Sequence, residues 1–334
     1  MTGVGPADVS PPCPVCQVAT TGVVPYADPH WPDEGLFSQL EIHFCGACGL
    51  GFSVPEIPQG VLSRFYEQVY RRRGGAFYLD FEHLAQPTAF DLRSISQILL
   101  AKHFATFAPD DVFVDIGPGN GASFGSAGAL LRRPRLVGVE LTPGASDAYA
   151  RLYGAETVRD LDSLRGLVPP PKIVLCSHSI EHFSRKDLAA CSAGVRALLH
   201  ADGVLVVEVP HVDMRVHESL RLRDSPHLLF FSTEGLRRLF EGFGFEVLFV
   251  DTCGETYRDW FATATAPAPA APAGARAAVS RVLQALPGPI RTPVKRIYGT
   301  MFRQMDLRSP QFDYGGDRTC LRLVARRGEG KAYQ

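Results

Sequence analysis

The first sixty residues contain no lysine and no arginine. Phosphate binding depends on cationic contacts, so this front segment is electrostatically wrong for nucleic acid. It carries acids instead: Asp8, Asp28, Asp33, Glu34, Glu41 and Glu56. The net charge of the whole chain is only −1, which removes any global pull toward nucleic acid or an anionic membrane. No uninterrupted apolar run approaches the length that spans a bilayer. The opening MTGVGPADVS has neither a basic start nor an apolar core, so a cytoplasmic protein is expected rather than a secreted one. No internal repeat is visible. What is present is an ordinary globular composition, 46% hydrophobic and 21% charged, in 334 residues. That length suffices for one large domain or two modest ones.

The eight cysteines are unevenly spread. Cys13-Pro14-Val15-Cys16 and Cys45-Gly46-Ala47-Cys48 form two C-x-x-C pairs near the front. Cys176, Cys191, Cys253 and Cys320 stand singly in apolar segments and read as buried, inert thiols. In a reducing compartment, paired C-x-x-C turns suggest a metal before they suggest disulfides. A redox pair would sit at a helix start in a βαβ setting, which neither pair has. Tetrahedral zinc takes four thiolates, two from each turn, and Gly46 and Gly49 allow the tight turn that brings backbone N–H groups to sulfur. Four thiolates leave no open position, so the expected zinc is structural.

Beyond the front segment, the pattern alternates. Residues 88–106 predict a helix with Leu92, Ile95, Leu99 and Phe104 on one face. DVFVDIGPGNG is a buried strand followed by a tight turn. RLVGVEL (135–141) and KIVLCSH (172–178) are further strands, and residues 184–200 a helix capped by Ser184. GVLVVEVP is another strand, and TEGLRRLFEGFGFEVLFVD reads as helix, glycine stop and strand. Strands alternating with helices predict a parallel, doubly wound α/β sheet. The alternation breaks at the Ala/Pro tract 262–275, read as a linker or loop. Residues 276–308 follow with seven Lys/Arg against Asp306, most simply a solvated helical face. TCLRLVARR (319–327) is expected to return to the sheet as its last strand.

The strongest signal is Val114-Asp115-Ile116-Gly117-Pro118-Gly119-Asn120-Gly121. Glycines after a strand let backbone approach a ligand closely. Glu140, at the end of the next strand, can accept from both hydroxyls of a ribose. A dinucleotide dehydrogenase is the rival, because the stretch formally fits G-x-G-x-x-A. Asp115 before the first glycine would repel a diphosphate, and Pro118 removes an N–H that would cradle phosphate. A cationic or zwitterionic ligand bearing a ribose fits better, as S-adenosylmethionine does.

D-I-G-P-G-N-G with Glu140 downstream resembles the first two motifs of class I S-adenosylmethionine-dependent methyltransferases, a Rossmann-like fold. SHSIEHF (177–183), ADGVLVVEVP (201–210) and HLLFFSTEGLRRLFEGFGFEV (227–247) match later motifs, so the resemblance covers roughly residues 88–253. It implies that Asp115, Gly117, Pro118, Gly119 and Gly121 line the methionine side and Glu140 the ribose. By the same resemblance, Asp160 and Leu161 lie by the adenine, and Ser177 and His178 beside the sulfonium. The C-x-x-C…C-x-x-C-G-L module before such a core also resembles the zinc-containing sugar C-methyltransferases of deoxysugar biosynthesis. Those enzymes carry Glu-His where this chain has Pro226-His227.

Methyl transfer benefits from a base when the acceptor loses a proton, and histidine suits that task near neutral pH. His182, His227 and His211 fall at the ligand edge of the expected sheet, with His217 a weaker candidate. Each could instead be satisfied by backbone near a pocket. Tyr66 and Tyr70 either cover the acceptor or pack in the core. The expected organisation is a zinc-ribbon-like module (1–60), a connecting lid (61–87), the methyltransferase core (88–253), an insertion (254–318), and the last strand with its tail (319–334). The expected enzyme methylates a small molecule, a sugar or sugar nucleotide such as a nucleotide-sugar, on oxygen or carbon. No nucleic-acid or membrane partner is expected, and a homo-oligomer is left open. A secondary metabolite or peptide natural product is the alternative acceptor, and a non-catalytic partner protein the alternative class.

Overall fold

In the computed structural model, the described residues are 11–26, 36–66, 91–142, 144–166, 169–212, 226–258 and 313–329. Tyr70, His217, most of the connecting lid, the Ala/Pro tract and the basic segment 276–308 lie outside them. The chain divides into two compact units, residues 1–251 with 320–334, and residues 252–319.

In the first unit the centre is β4 (Val112–Ile116), five consecutive buried residues. Such a run belongs in the middle of a parallel sheet with both faces covered. β5 (Arg135–Val139) and β7 (Ile173–Ser177) pair with it in parallel on either side. β6 (Glu156–Val158) extends one edge beyond β5, and β8 (Val204–Pro210) lies beyond β7. β11 (Arg318–Arg327) returns to pair antiparallel with β8, and β10 (Phe245–Thr256) lies beyond β11. The order is therefore β10-β11-β8-β7-β4-β5-β6. The doubly wound sheet and the returning last strand are as the sequence predicts, and the strand order reverses beside β4, where such sheets bind ligands.

The crossovers are α3 (Ala122–Leu130), α4 (Ala145–Tyr153), α5 (Arg185–Leu198) and α6 (Thr233–Gly242). Ser184 caps α5 by accepting from Asp187 N, and Ser232 caps α6 by accepting from Gly235 N. Gly244, at φ +82°, stops α6 and releases the chain into β10.

α2 (Leu92–Phe104) starts at Asp91, which accepts from Ser94 N, and falls within the predicted range. Its predicted face is wrong. Leu99 is 42% exposed, Leu92 and Ile95 are only partly buried, and the covered residues are Ser94, Ser96, Gln97, Ile98 and Ala101. The helix turns polar side chains inward because a buried ion pair in the sheet needs partners, as described below.

The front segment forms its own antiparallel sheet from β1 (Gly22–Pro25), β2 (Glu41–Phe44) and β3 (Gly51–Val54). Its fourth strand, β9 (Leu229–Phe230), comes from the segment between β8 and α6, with Gly51 opposite Phe230 and Phe52 opposite Leu229. α1 (Gln59–Arg64) follows, and Phe37, Ile42, Phe44, Leu62, Phe65 and Phe230 share one core cluster. In the second unit Cys253 bridges Tyr314 antiparallel, and Thr252 Oγ1 donates to the Gly316 carbonyl at 2.9 Å. Among the described residues no helix is long and apolar enough to cross a membrane.

Candidate active site

β4 delivers a glycine loop at its carboxyl end. Gly117, Gly119 and Gly121 have φ of 75°, 56° and 75°, the left-handed region that disfavours side chains. Space demands glycine as well. A Cβ on Gly117 would lie 2.6 Å from Ser179 Oγ, and one on Gly121 would lie 2.5 Å from the Tyr153 ring. The loop is pinned by Gly117 N donating to the Val139 carbonyl at 3.0 Å and by Tyr153 Oη donating to the Asn120 carbonyl at 3.1 Å. Gly121 ends it as the N-cap of α3.

Two acids stand at this edge. Asp115 is buried; its Oδ2 accepts from Ser123 Oγ, while Oδ1 has no hydrogen-bond partner among the described residues. Burial, helped by the nearby Glu140 charge and opposed by the Ser123 bond, pushes its carboxyl up to about 7. A buried acceptor with an unused oxygen is suited to a cationic donor. Glu140 follows β5, and its Oε1 accepts from Thr142 N at 2.9 Å and Thr142 Oγ1 at 2.5 Å, which fixes the carboxylate at the strand end. Asp160 is exposed and already employed. Its Oδ1 accepts from Ser163 Oγ and N at 2.6 and 2.7 Å, opening the short 3₁₀ turn Asp162–Gly166 and holding its pKa down. Leu161 packs on α5 opposite Gly194.

The segment after β7 lies against the loop, since Ser179 Oγ donates to the Ile116 carbonyl at 3.1 Å. Ser177 Oγ accepts from Gln97 Nε2 at 2.8 Å. His178 has φ of 52°, rare for a residue with a side chain, and its ring stands between two buried carboxylates. Nδ1 is 3.5 Å from Glu181 Oε1 and Nε2 is 3.4 Å from Glu208 Oε1. Burial opposes charge on this ring, but Cys320, Glu181 and Glu208 outweigh it and raise its pKa well above the usual value.

Glu208, inside β8, and Arg322, inside β11, are both 0% exposed. Arg322 Nε donates to Glu208 Oε2 at 2.7 Å, Nη2 donates to the same oxygen, and Nη1 donates to Ser96 Oγ at 2.8 Å. Gln97 Nε2 donates to that Oε2 as well, at 2.9 Å, and Arg93 Nε is 3.2 Å from Oε1. This pair is why α2 presents Ser96 and Gln97 to the sheet. Sequence reasoning passed over Glu208, Arg322, Gln97 and Glu181. The available signal was a lone acid within GVLVVEVP and a base set between Leu321 and Leu323 within TCLRLVARR, each in an apolar strand.

Of the histidine candidates, the fold brings two together. His182 and His227 have ring centroids 4.8 Å apart, and His227 Nε2 is 4.0 Å from Glu181 Oε1. Burial lowers the pKa of His182. The Tyr66 ring packs edge-on against His182 at 5.8 Å. His211, at the end of β8, makes a backbone bridge to Phe231 and is not part of that cluster.

Cys13, Cys16, Cys45 and Cys48 also converge, their sulfurs within 4.8 Å of one another. Cys13 Sγ and Cys48 Sγ are 3.7 Å apart, and the Cys13 sulfur accepts from Val15 N and Cys16 N at 3.4 and 3.5 Å. Burial pushes the thiols of Cys13 and Cys48 up. Gly49, at φ 71°, closes the second turn, where Ser232 Oγ from α6 donates to the Cys48 carbonyl.

A family model described as a methyltransferase domain matches residues 89–250. This stretch is a methyltransferase domain. It is of the S-adenosylmethionine-dependent kind, and its sheet order with an antiparallel last strand accords with that match. None of the curated proteins compared with the chain matches it. Among solved structures, the chain is similar to a methyltransferase in complex with the Haloferax volcanii Trm112 activator (16% identity, 72% of this chain and 91% of that one, TM-score 0.44). It is similar to a SAM-dependent methyltransferase from Archaeoglobus fulgidus (15% identity, 74% and 99%, TM-score 0.42). It is also similar to the mitomycin 7-O-methyltransferase MmcR (20% identity, 48% and 50%, TM-score 0.39). The methyltransferase domain thus contains the glycine loop, both edge acids, and the cluster of Glu181, His182 and His227.

Proposed function

We propose that the chain transfers a methyl group from S-adenosylmethionine to a small-molecule acceptor, a sugar or sugar nucleotide, on oxygen or carbon. The observation that carries this reading is Asp115 Oδ1, buried and without a hydrogen bond beside the left-handed glycine loop, with Glu140 fixed at the neighbouring strand end. Bound there, S-adenosylmethionine supplies an electrophilic methyl group on a sulfonium. Asp115 accepts from the methionine amino group, and the glycines give the methionine moiety close backbone approach. Glu140 accepts from the ribose hydroxyls. Asp160 and Leu161 border the adenine, with the Asp160 carboxylate engaged by Ser163 and Leu161 supplying the apolar surface. Ser177 and His178 face the sulfonium side. Holding donor and acceptor in line supplies much of the rate.

On the acceptor side stand His182 and His227, with Tyr66 packed on the former. The glutamate that the sugar C-methyltransferases carry beside this second histidine is Pro226 here, while Glu181 lies 4.0 Å from His227 Nε2. Either imidazole can take the proton that an acceptor hydroxyl, or a carbon next to a carbonyl, loses as the new bond to the methyl carbon forms.

The four front cysteines fit structural zinc. Their donor set is the soft thiolate tetrad zinc prefers, and backbone N–H groups already point at sulfur. Zinc bound there would anchor the turns that carry β3, whose sheet incorporates β9 next to His227.

The test is transfer of labelled methyl into a panel of nucleotide-sugars and small metabolites, with His227→Ala and His182→Ala in parallel. A productive acceptor is expected, with a loss of about 100-fold or more in at least one variant. Full rates in both variants would remove the histidines from the reaction. No transfer to any sugar, with transfer to a peptide or another metabolite, would overturn the sugar assignment.

A further inference from the structure

Glu181 is a carboxylate whose nearest donor is His178 Nδ1, 3.5 Å from Oε1 and outside hydrogen-bond geometry. It is 1% exposed, and neither of its oxygens has a hydrogen-bond partner among the described residues. A buried carboxylate in that condition is costly unless a charge meets it. One ligand atom from each of Glu181, His182 and His227 lies within 4.8 Å of the others. We propose that these three residues bind a divalent transition-metal ion, a second metal site chemically distinct from the cysteine tetrad.

Three features support the assignment. First, two imidazoles and one carboxylate are a recurrent donor set for first-row divalent metals, and they leave coordination positions open. Second, the His182 ring is oriented from behind, as those of metal-binding histidines are. His182 Nδ1 lies 3.4 Å from the Pro226 carbonyl, which accepts its proton and leaves Nε2 with the lone pair. The His227 backbone is held in turn by Tyr26 Oη, which donates to its carbonyl at 2.7 Å. Third, the separation between the Glu181 and His227 donor atoms is close to that of a coordination shell. Ligand atoms each about 2.1 Å from one ion stand roughly 3 to 3.5 Å apart, so the 4.0 Å between His227 Nε2 and Glu181 Oε1 needs only a small closure.

The competing account is a metal-free cluster in which the imidazoles alone balance Glu181. His178 Nδ1 faces the same Oε1 at 3.5 Å, while Glu208 is met separately by Arg322 and Arg93. A bound metal would neutralise the carboxylate directly, and its open positions give the site a ligand class: an acceptor presenting oxygen donors, such as vicinal hydroxyls. That last step rests on reading this edge as the acceptor side, with the imidazoles then serving as ligands and not as the proton acceptors named above.

The experiment uses the full chain with its cysteine site intact and Mn(II) as the probe, because manganese is a poor match for a thiolate tetrad. Binding is followed by the loss of the free-ion electron paramagnetic resonance signal, in wild type, Glu181→Gln, His182→Ala and His227→Ala. Each variant is checked for S-adenosylhomocysteine binding to establish that it is folded. One Mn(II) per chain is expected, weakened at least tenfold in all three variants. Wild type binding Mn(II) no more tightly than folded Glu181→Gln would overturn the proposal and leave the histidine cluster alone to balance the charge. In that event, retained S-adenosylhomocysteine binding by wild type would keep the methyltransferase reading intact. Metal analysis of each protein as purified gives a second readout. Glu181→Gln should lose a metal that Cys45→Ser retains, and equal metal content in wild type and Glu181→Gln would contradict the second site.

Discussion

At the scale of single residues, Asp115 makes the sharpest statement about the ligand. Its carboxyl, pushed up to about 7 by burial, is largely neutral in mildly acidic solution. The neutral form contributes stability to the ligand-free protein that is complete below 3.8 and lost as pH rises through about 7. A bound amino group reverses the preference and draws out the charged carboxylate. Binding of S-adenosylhomocysteine should therefore release close to one proton at about pH 6, and affinity should rise with pH up to about 7. Calorimetry in two buffers of different ionisation enthalpy measures this directly, and Asp115→Asn should abolish the release. Binding with no proton release by wild type would separate Asp115 from the amino group. This residue was legible in the sequence because a carboxylate just ahead of a glycine turn has few structural uses. Glu181 was not. Nothing in SHSIEHF says that its carboxylate turns inward while His182 meets another histidine from forty-five residues on, His227.

At the scale of elements, α2 shows where periodicity misleads. Apolar spacing placed Leu92, Ile95 and Leu99 on the buried face, but the helix buries Ser96 and Gln97. The cause lies two strands away, in the Glu208–Arg322 pair that joins β8 to β11. A buried ion pair needs its remaining donors and acceptors satisfied, and only polar side chains on the covering helix can do that. Removing one partner should be worse than removing both. Arg322→Met strands the Glu208 charge and should cost about 3 to 5 kcal/mol. Arg322→Met with Glu208→Leu should recover much of that loss. Urea unfolding midpoints report both, and a double variant as unstable as the single one would show that the pair is not the cause. Strands β4, β5, β7, β8 and β11 were legible because each is a short apolar run bounded by turn residues. β9 was not, because its two residues belong to a sheet whose other strands lie nearly two hundred residues earlier.

At the scale of the whole molecule, the front segment and the catalytic core share structure that the sequence presents as separate. The cysteine turns meet α6 through Ser232, and β3 pairs with β9 immediately after His227. The absence of lysine and arginine from residues 1–60 accords with the proposed small-molecule acceptor, which calls for no grip on phosphate backbone. The central claim is that the edge formed by β4 and β5 binds S-adenosylmethionine through Asp115, the glycine loop and Glu140. Its most direct test is calorimetric titration of the full chain with S-adenosylhomocysteine and with NAD, alongside Glu140→Ala. Saturable binding of S-adenosylhomocysteine, none of NAD, and a loss of about tenfold or more in Glu140→Ala is the predicted result, on the scale of a buried hydrogen bond to a charged group. Binding of NAD in preference, or wild-type affinity in Glu140→Ala, would contradict it.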